Sequence, residues 1–203
     1  IQELAWRDYW QQVWIAKKDG IKEDLKNKQA PISNFNVPKA ILNADTGINV
    51  LDHAIKELYQ TGYMHNHMRM YIAALGCNSG KSHWLLPAQW MYYHLLDGDW
   101  ASNALSWQWV AGSNSNKKYV ANQENINKYF YTQQQHTILD VPYDELPTMA
   151  TPPALQDLEV PEFKTVLPTV APLKVDKNLS TLVYNSYNLD PNWRQDIATN
   201  RIL

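Results

Sequence analysis

Cysteine is nearly missing. Cys77 is the one cysteine in 203 residues, which excludes a disulfide framework and a Cys-based zinc site. No apolar run approaches the ~20 residues that a bilayer-crossing helix needs. An excess of one charge is missing too: 18 Lys and Arg face 20 Asp and Glu, a formal net charge of −2. Any nucleic-acid surface therefore has to be local. There is no phosphate-binding Gly-rich loop, no nucleophile elbow, no internal repeat and no low-complexity tract. Glycine stops at Gly112, whereas seven of the eleven prolines lie at or after Pro147. What is present describes a folded chain. Hydrophobic residues make up 45% and charged residues 19%, which excludes a disordered or fibrous protein. The length suits one domain, or one domain and a tail, with a real core. Nine tryptophans are unusual, and each needs a packing or π-face role.

The first part of the chain carries helical periodicity. Leu4, Trp6, Trp10, Val13 and Trp14 predict an amphipathic helix with an aromatic face. The polar stretch from Lys17 to Lys39, with Pro31 and Pro38, reads as a loop. Leu51, Ala54, Ile55 and Leu58 mark a second helix closed by Gly62. A third is expected over Met64 to Leu75, a fourth opened by Pro87 and ending by Gly98, and a fifth over Ala101 to Ala111. No stretch alternates with period two over the first 111 residues, so the expectation is an all-α bundle. From Thr148 to Lys177, Pro152, Pro153, Pro161, Pro168 and Pro172 predict an extended arm. Asn178 to Leu203 carries no assignable element. The expected division is therefore 1–146 as the helical domain and 147–203 as the Pro-rich arm and C-terminal segment. Ile1 follows no Met, and Asn200-Arg201-Ile202-Leu203 turns apolar as the chain stops. An internal piece of a longer protein is expected; a processed N-terminus would read the same way.

Generic metal motifs are weak. His65-x-His67 puts two imidazoles two apart on a helix, facing different ways, so a capping or core role fits better than a metal site. Asp97-Gly-Asp99 lacks the remaining ligands of a calcium loop and reads as a helix end followed by the next N-cap. No metal is expected.

Three longer blocks resemble the flavin-binding catalytic domain of DNA photolyases and cryptochromes. They are Glu3-Leu-Ala-Trp6-Arg7-Asp8-Tyr9, Thr61-Gly-Tyr-Met-His65-Asn66-His-Met-Arg69-Met70 and Asp97-Gly-Asp99-Trp-Ala-Ser-Asn103-Ala-Leu-Ser-Trp107-Gln-Trp109. Their order and spacing are close to the family's, and they cover roughly Ile1 to Tyr131. Beyond Pro147 the chain is more similar to short flavoprotein branches of the superfamily. The resemblance implies the family's helical FAD-binding bundle. It also implies noncovalent FAD and light-driven splitting of cyclobutane pyrimidine dimers by an electron from excited reduced flavin. It assigns Glu3 to a hydrogen bond on the dimer and Trp6 and Trp109 to aromatic walls against the pyrimidines, where stacking is worth ~1–3 kcal/mol per base. Asn66 and Met70 complete that pocket. Asp97 and Asp99 would contact flavin and ribityl or ribose groups, Asn66 would also lie at the cofactor, and Arg69 would pair with Asp97 and favour anionic flavin. Asn103 matches the position facing flavin N5, and Arg7 falls near the phosphate contacts.

The resemblance further implies an electron path in which Trp107 is the inner member and Trp84, 23 residues upstream, the middle one. The outer member falls in the loop before Thr46, whose only aromatic is Phe35; Trp90, Trp100 or a tyrosine such as Tyr92 are the substitutes. Asn66, Met70 and Asn103 follow the cyclobutane-dimer pattern rather than the six-four or cryptochrome ones, with His67 in place of a common Arg and Tyr63 of a common Trp. Basic candidates for a DNA groove are few (Lys117, Lys118, Lys128 and Arg69), which implies a preference for single-stranded DNA. A monomer is expected, cytoplasmic and nucleoid-associated in a bacterium, nuclear or organellar in a eukaryote. The family's antenna domain and the first half of its flavin domain have no counterpart here, so an exposed apolar patch and poor FAD binding by this piece alone are expected. The rivals are a cryptochrome-like photoreceptor without repair and a flavin-free helical interaction module.

Overall fold

The computed structural model describes residues 2–166, 169, 175–183 and 200–202, apart from the side chains of Glu3 and of 200–202. The terminal Ile1 and Leu203, and Pro168 and Pro172 of the expected arm, lie outside the described residues. Two compact units form, Ile1–Phe163 and Lys164–Leu203.

The first unit is helical, as expected. Helix α1 spans Gln2–Lys17, α2 Lys39–Leu42, α3 Asn49–Thr61, α4 Asn66–Ala74, α5 Leu85–His94, α6 Trp100–Ala111 and α7 Gln123–Phe130. In α3 the spacing Leu51, Ala54, Ile55 and Leu58 puts all four on the buried face. Gly62 ends it at φ +71°, where a Cβ would stand 2.4 Å from Leu96 Cγ. Helix α4 does not stop at Leu75 but widens into a π turn, Leu75–Ser79, closed by the Gly80 N–H donating to the Leu75 carbonyl at 2.8 Å. Pro87 sits in the first turn of α5, where its missing N–H costs nothing. That helix ends at His94, earlier than Gly98, because Leu95 turns extended and the Leu96 N–H bonds the Gly62 carbonyl at 2.9 Å.

Helix α6 is central. It packs against α1, α4 and α5, and Ala101, Ala104, Leu105, Trp107, Gln108, Val110 and Ala111 are buried. The polar exception, Gln108, is satisfied: it accepts the Leu25 N–H at 3.1 Å and donates to the Ile21 carbonyl at 2.9 Å. These bonds fix the loop after α1, which begins with a 3-10 turn at Lys18–Lys22. The aromatic face expected on α1 is only partly used. Trp10, Gln11, Val13 and Trp14 are half-buried, while Leu4, Trp6, Tyr9 and Ile15 are exposed.

The expected boundary at 146 falls inside the first unit. Leu146 and Leu155 are buried in the core with Met149 packed against it, and a 3-10 turn at Pro153–Leu155 lies against α2. Strand β1, Val37–Pro38, pairs antiparallel with β2, Leu158–Glu159, and the Lys39 N–H donates to the Asp157 carbonyl at 2.8 Å. Two residues are too few for alternation to show, which is why the loop reading of Lys17 to Lys39 misses this pairing. In the second unit, described by itself, β3 at Thr181–Val183 pairs in parallel with β4 at Asn200–Ile202. No helix among the described residues is long and apolar enough to cross a membrane.

Candidate functional site

The junction between α5 and α6 gathers the charged candidates. Arg69 reaches across from α4. Its Nε donates to the Met64 carbonyl at 2.8 Å and one Nη donates to both oxygens of Asp97 at 3.0 Å. Asp97 is exposed, so the pair adds little stability; it fixes where the guanidinium points. Asp99 is buried and is the N-cap of α6, accepting the Ser102 N–H at 2.7 Å. Its second oxygen accepts a hydrogen bond from the Gln11 side chain of α1. One turn on, Asn103 donates its amide to the Ala88 carbonyl at 2.8 Å, leaving its oxygen for another partner.

Two buried polar atoms of α6, Ser102 Oγ and Trp107 Nε1, have no hydrogen-bond partner among the described residues. A buried donor or acceptor left so costs about 1–3 kcal/mol. With the Asp97 and Asp99 carboxylates, the Arg69 guanidinium and the Asn103 amide, they supply donors and acceptors of the kinds that suit a large ligand with hydroxyls and a heteroaromatic edge, which FAD is.

Helices α1, α4 and α6 carry the residues expected at a lesion. Trp6 is 48% exposed, stacks on Trp10 with centroids 5.5 Å apart, and meets Tyr9 edge-on at 5.8 Å. Arg7 is exposed on the same helix. Trp109 is 41% exposed beside Tyr119 at 5.8 Å. Asn66 opens α4 exposed, and Met70 is half-buried. Glu3 lies in α1. Helix α6 packs on both α1 and α4. Lys117 and Lys128 are exposed, while Lys118 is half-buried and burial lowers its pKa.

His65 is the N-cap of α4, its Nδ1 accepting the His67 N–H at 3.3 Å. The two imidazoles, expected to face different ways, are instead stacked at 5.3 Å and 12°. His65 lies outside the helix with extended backbone, so helical periodicity does not apply to it. No group of three or more possible metal ligands occurs among the described residues.

Trp84 and Trp107 are both buried. Trp84 donates its indole N–H to Asp24 Oδ1 at 2.8 Å. Its ring neighbour among the described residues is His83, at 5.7 Å, and His83 lies 5.3 Å from Phe35. Trp90 donates its indole N–H to the Tyr59 hydroxyl at 3.0 Å, and Trp100 meets Tyr92 edge-on at 5.4 Å. Three residues hydrogen-bonded to these candidates escape the sequence reading. Ser102 was legible from the Asp99-x-x-Ser102 cap spacing. Gln11 and Asp24 leave no local signal, since their partners lie far along the chain.

Comparison with known proteins adds a family. Residues 1–140 match the family described as the FAD binding domain of DNA photolyase. The chain is similar to the deoxyribodipyrimidine photo-lyase of Synechococcus sp., 35% identical over 121 residues, which are 58% of this chain and 25% of the relative. It is similar to that of Halobacterium salinarum, 30% identical over 116 residues, 56% of this chain and 24% of the relative. To that of Agrobacterium fabrum it is 40% identical over 75 residues, 37% of this chain and 16% of the relative. The chain spans about a quarter or less of the length of these relatives.

Proposed function

The chain belongs to the family of the FAD-binding domain of DNA photolyase, and from that premise we propose that the full protein repairs cyclobutane pyrimidine dimers in DNA in blue light. The observation that carries the reading is α6 itself. Within the matched segment it places Asp99, Asn103, the two unpartnered atoms of Ser102 and Trp107, and half-open Trp109 on one helix. FAD, when bound and reduced, supplies the excited electron. The protein's residues do the rest. Arg69, held at Met64 and Asp97, places a fixed positive charge that favours anionic flavin. Asp97, Asp99, Asn66 and Asn103 hold and orient the cofactor, and Arg7 meets its phosphates. Trp6 and Trp109 stack on the flipped-out dimer, Asn66 and Met70 close the pocket, and Glu3 hydrogen-bonds the dimer as charge develops on it. Trp107 and Trp84 pass electrons inward to restore reduced flavin. The scarcity of free cations favours single-stranded DNA, taken by a monomer.

The test is repair of a thymine-dimer oligonucleotide, single- and double-stranded, by the full-length flavin-loaded protein in light and in darkness. Light-dependent dimer loss is expected, faster on the single strand. Glu3→Ala should lower repair roughly 100-fold, the scale of losing one group that stabilises developing charge, and leave flavin photoreduction unchanged. A flavin-loaded protein that repairs neither strand overturns the reading in favour of a photoreceptor. Photoreduction that falls together with repair overturns the role of Glu3.

A further inference from the structure

Trp84 has an uncommon partner. A buried indole N–H needs one acceptor, and a backbone carbonyl or a hydroxyl serves, as Tyr59 serves Trp90. Trp84 instead donates to the carboxylate of Asp24, which is 14% exposed. Holding a carboxylate out of water costs far more than holding a neutral acceptor, so the arrangement asks for a use. The other Asp24 oxygen accepts the Gln29 N–H at 2.9 Å. Gln29, itself buried, accepts the Trp84 backbone N–H at 2.9 Å and donates to the Ser82 carbonyl at 2.8 Å. Carboxylate and indole are thereby locked face to face. The cationic candidate nearest Asp24 is His83, with Nε2 3.8 Å from the same oxygen. Burial lowers the His83 pKa against the opposing pull of Asp24 and Glu23, so its imidazole is uncharged at neutral pH. Outward from His83 comes Phe35, 68% exposed. Neither ring gives up an electron readily.

We propose that Asp24 is the proton acceptor for Trp84: when Trp84 is oxidised, its indole proton passes to the Asp24 carboxylate and leaves a neutral radical. The proposal rests on the reading of Trp84 as an electron carrier. One electron leaves Trp84 through Trp107 for the photoexcited oxidised flavin. The Nε1–H bond breaks and an O–H bond forms on Asp24 Oδ1. An indole radical cation is a far stronger acid than the indole, so a carboxylate 2.8 Å away becomes a competent acceptor for its proton. A cation would be drawn back by the electron that has moved inward, whereas a neutral radical is not. Proton loss thus does the work of an outer hop. An exogenous thiol later returns one electron to Trp84, and the proton on Asp24 restores the N–H. His83 stands next in line for proton exchange with solvent.

Flash excitation of the full-length protein with oxidised flavin tests this, following the absorption of the indole radical as it changes from cation to neutral. The neutral radical is expected in the wild type, forming more slowly in heavy water. Asp24→Asn keeps an acceptor for the indole but no base, and should slow the change about 100-fold at unchanged flavin content. Asp24→Glu should restore most of the rate. Wild-type kinetics in Asp24→Asn, or no heavy-water effect in the wild type, overturns the proposal. Trp84→Phe separates the two layers: if it photoreduces like the wild type, the electron-carrier reading falls and the proposal with it. If it does not, while Asp24→Asn converts normally, only the proposal falls.

Discussion

His94 shows how a single side chain couples this core to pH. It lies 4.6 Å from Tyr59 and 5.0 Å from Tyr93, and burial lowers its pKa from the usual histidine range. His83 is lowered by the same cause. Below the ordinary histidine pKa the unfolded chain binds protons that the folded one refuses, so stability is full above about pH 6.5 and falls as pH drops. Thermal midpoints measured from about pH 7 toward pH 5 should decline, and His94→Asn should flatten that decline; an unchanged slope would remove His94 from the account. At this scale the sequence was readable where the family resemblance marks positions. Asp97, Asp99 and Asn103 fall in one short block, and Arg69, 28 residues before Asp97, makes the bond to it that the resemblance implied. Asp24 was unreadable, because its meaning depends on an indole 60 residues away. So was Gln11, whose partner Asp99 lies 88 residues on.

Helices were legible to the extent that their apolar faces repeat and their ends carry signals. Helix α3 has both, with Leu51, Ala54, Ile55 and Leu58 inside and Gly62 at its end. Gly62→Ala tests that end: the left-handed backbone and the Leu96 side chain both oppose a Cβ. A loss of about 1–2 kcal/mol is expected in denaturant unfolding, and no loss would mean that the turn into Tyr63 can rearrange. Helix α7 was missed although it carries a full capping box, the Asn122 side chain accepting the Asn125 N–H at 3.0 Å and Asn125 accepting the Asn122 N–H at 3.4 Å. Asn at both positions is a weaker written signal than Ser followed by Glu. The π turn at Leu75–Ser79 was invisible because hydrophobic spacing does not distinguish a widened turn from the regular helix it continues.

Across the first unit, proline density suggested an arm where the chain in fact packs. Prolines break helices without preventing burial, and Leu155 between them is fully buried. Leu155→Ala should therefore cost about 2–5 kcal/mol in unfolding, as for any core leucine; a loss under 0.5 kcal/mol, the scale of a surface change, would return the segment to the arm reading. The pairing of Val37 with Glu159 has a consequence in time. It joins a strand made before α3–α7 to one made after them, near the end of the unit. The ribosome thus releases the helical core before the strap over α2 exists. Until Leu155 emerges its socket stays open, and the nascent chain must shield that socket, or have it shielded, at the stage when exposed apolar surface invites aggregation.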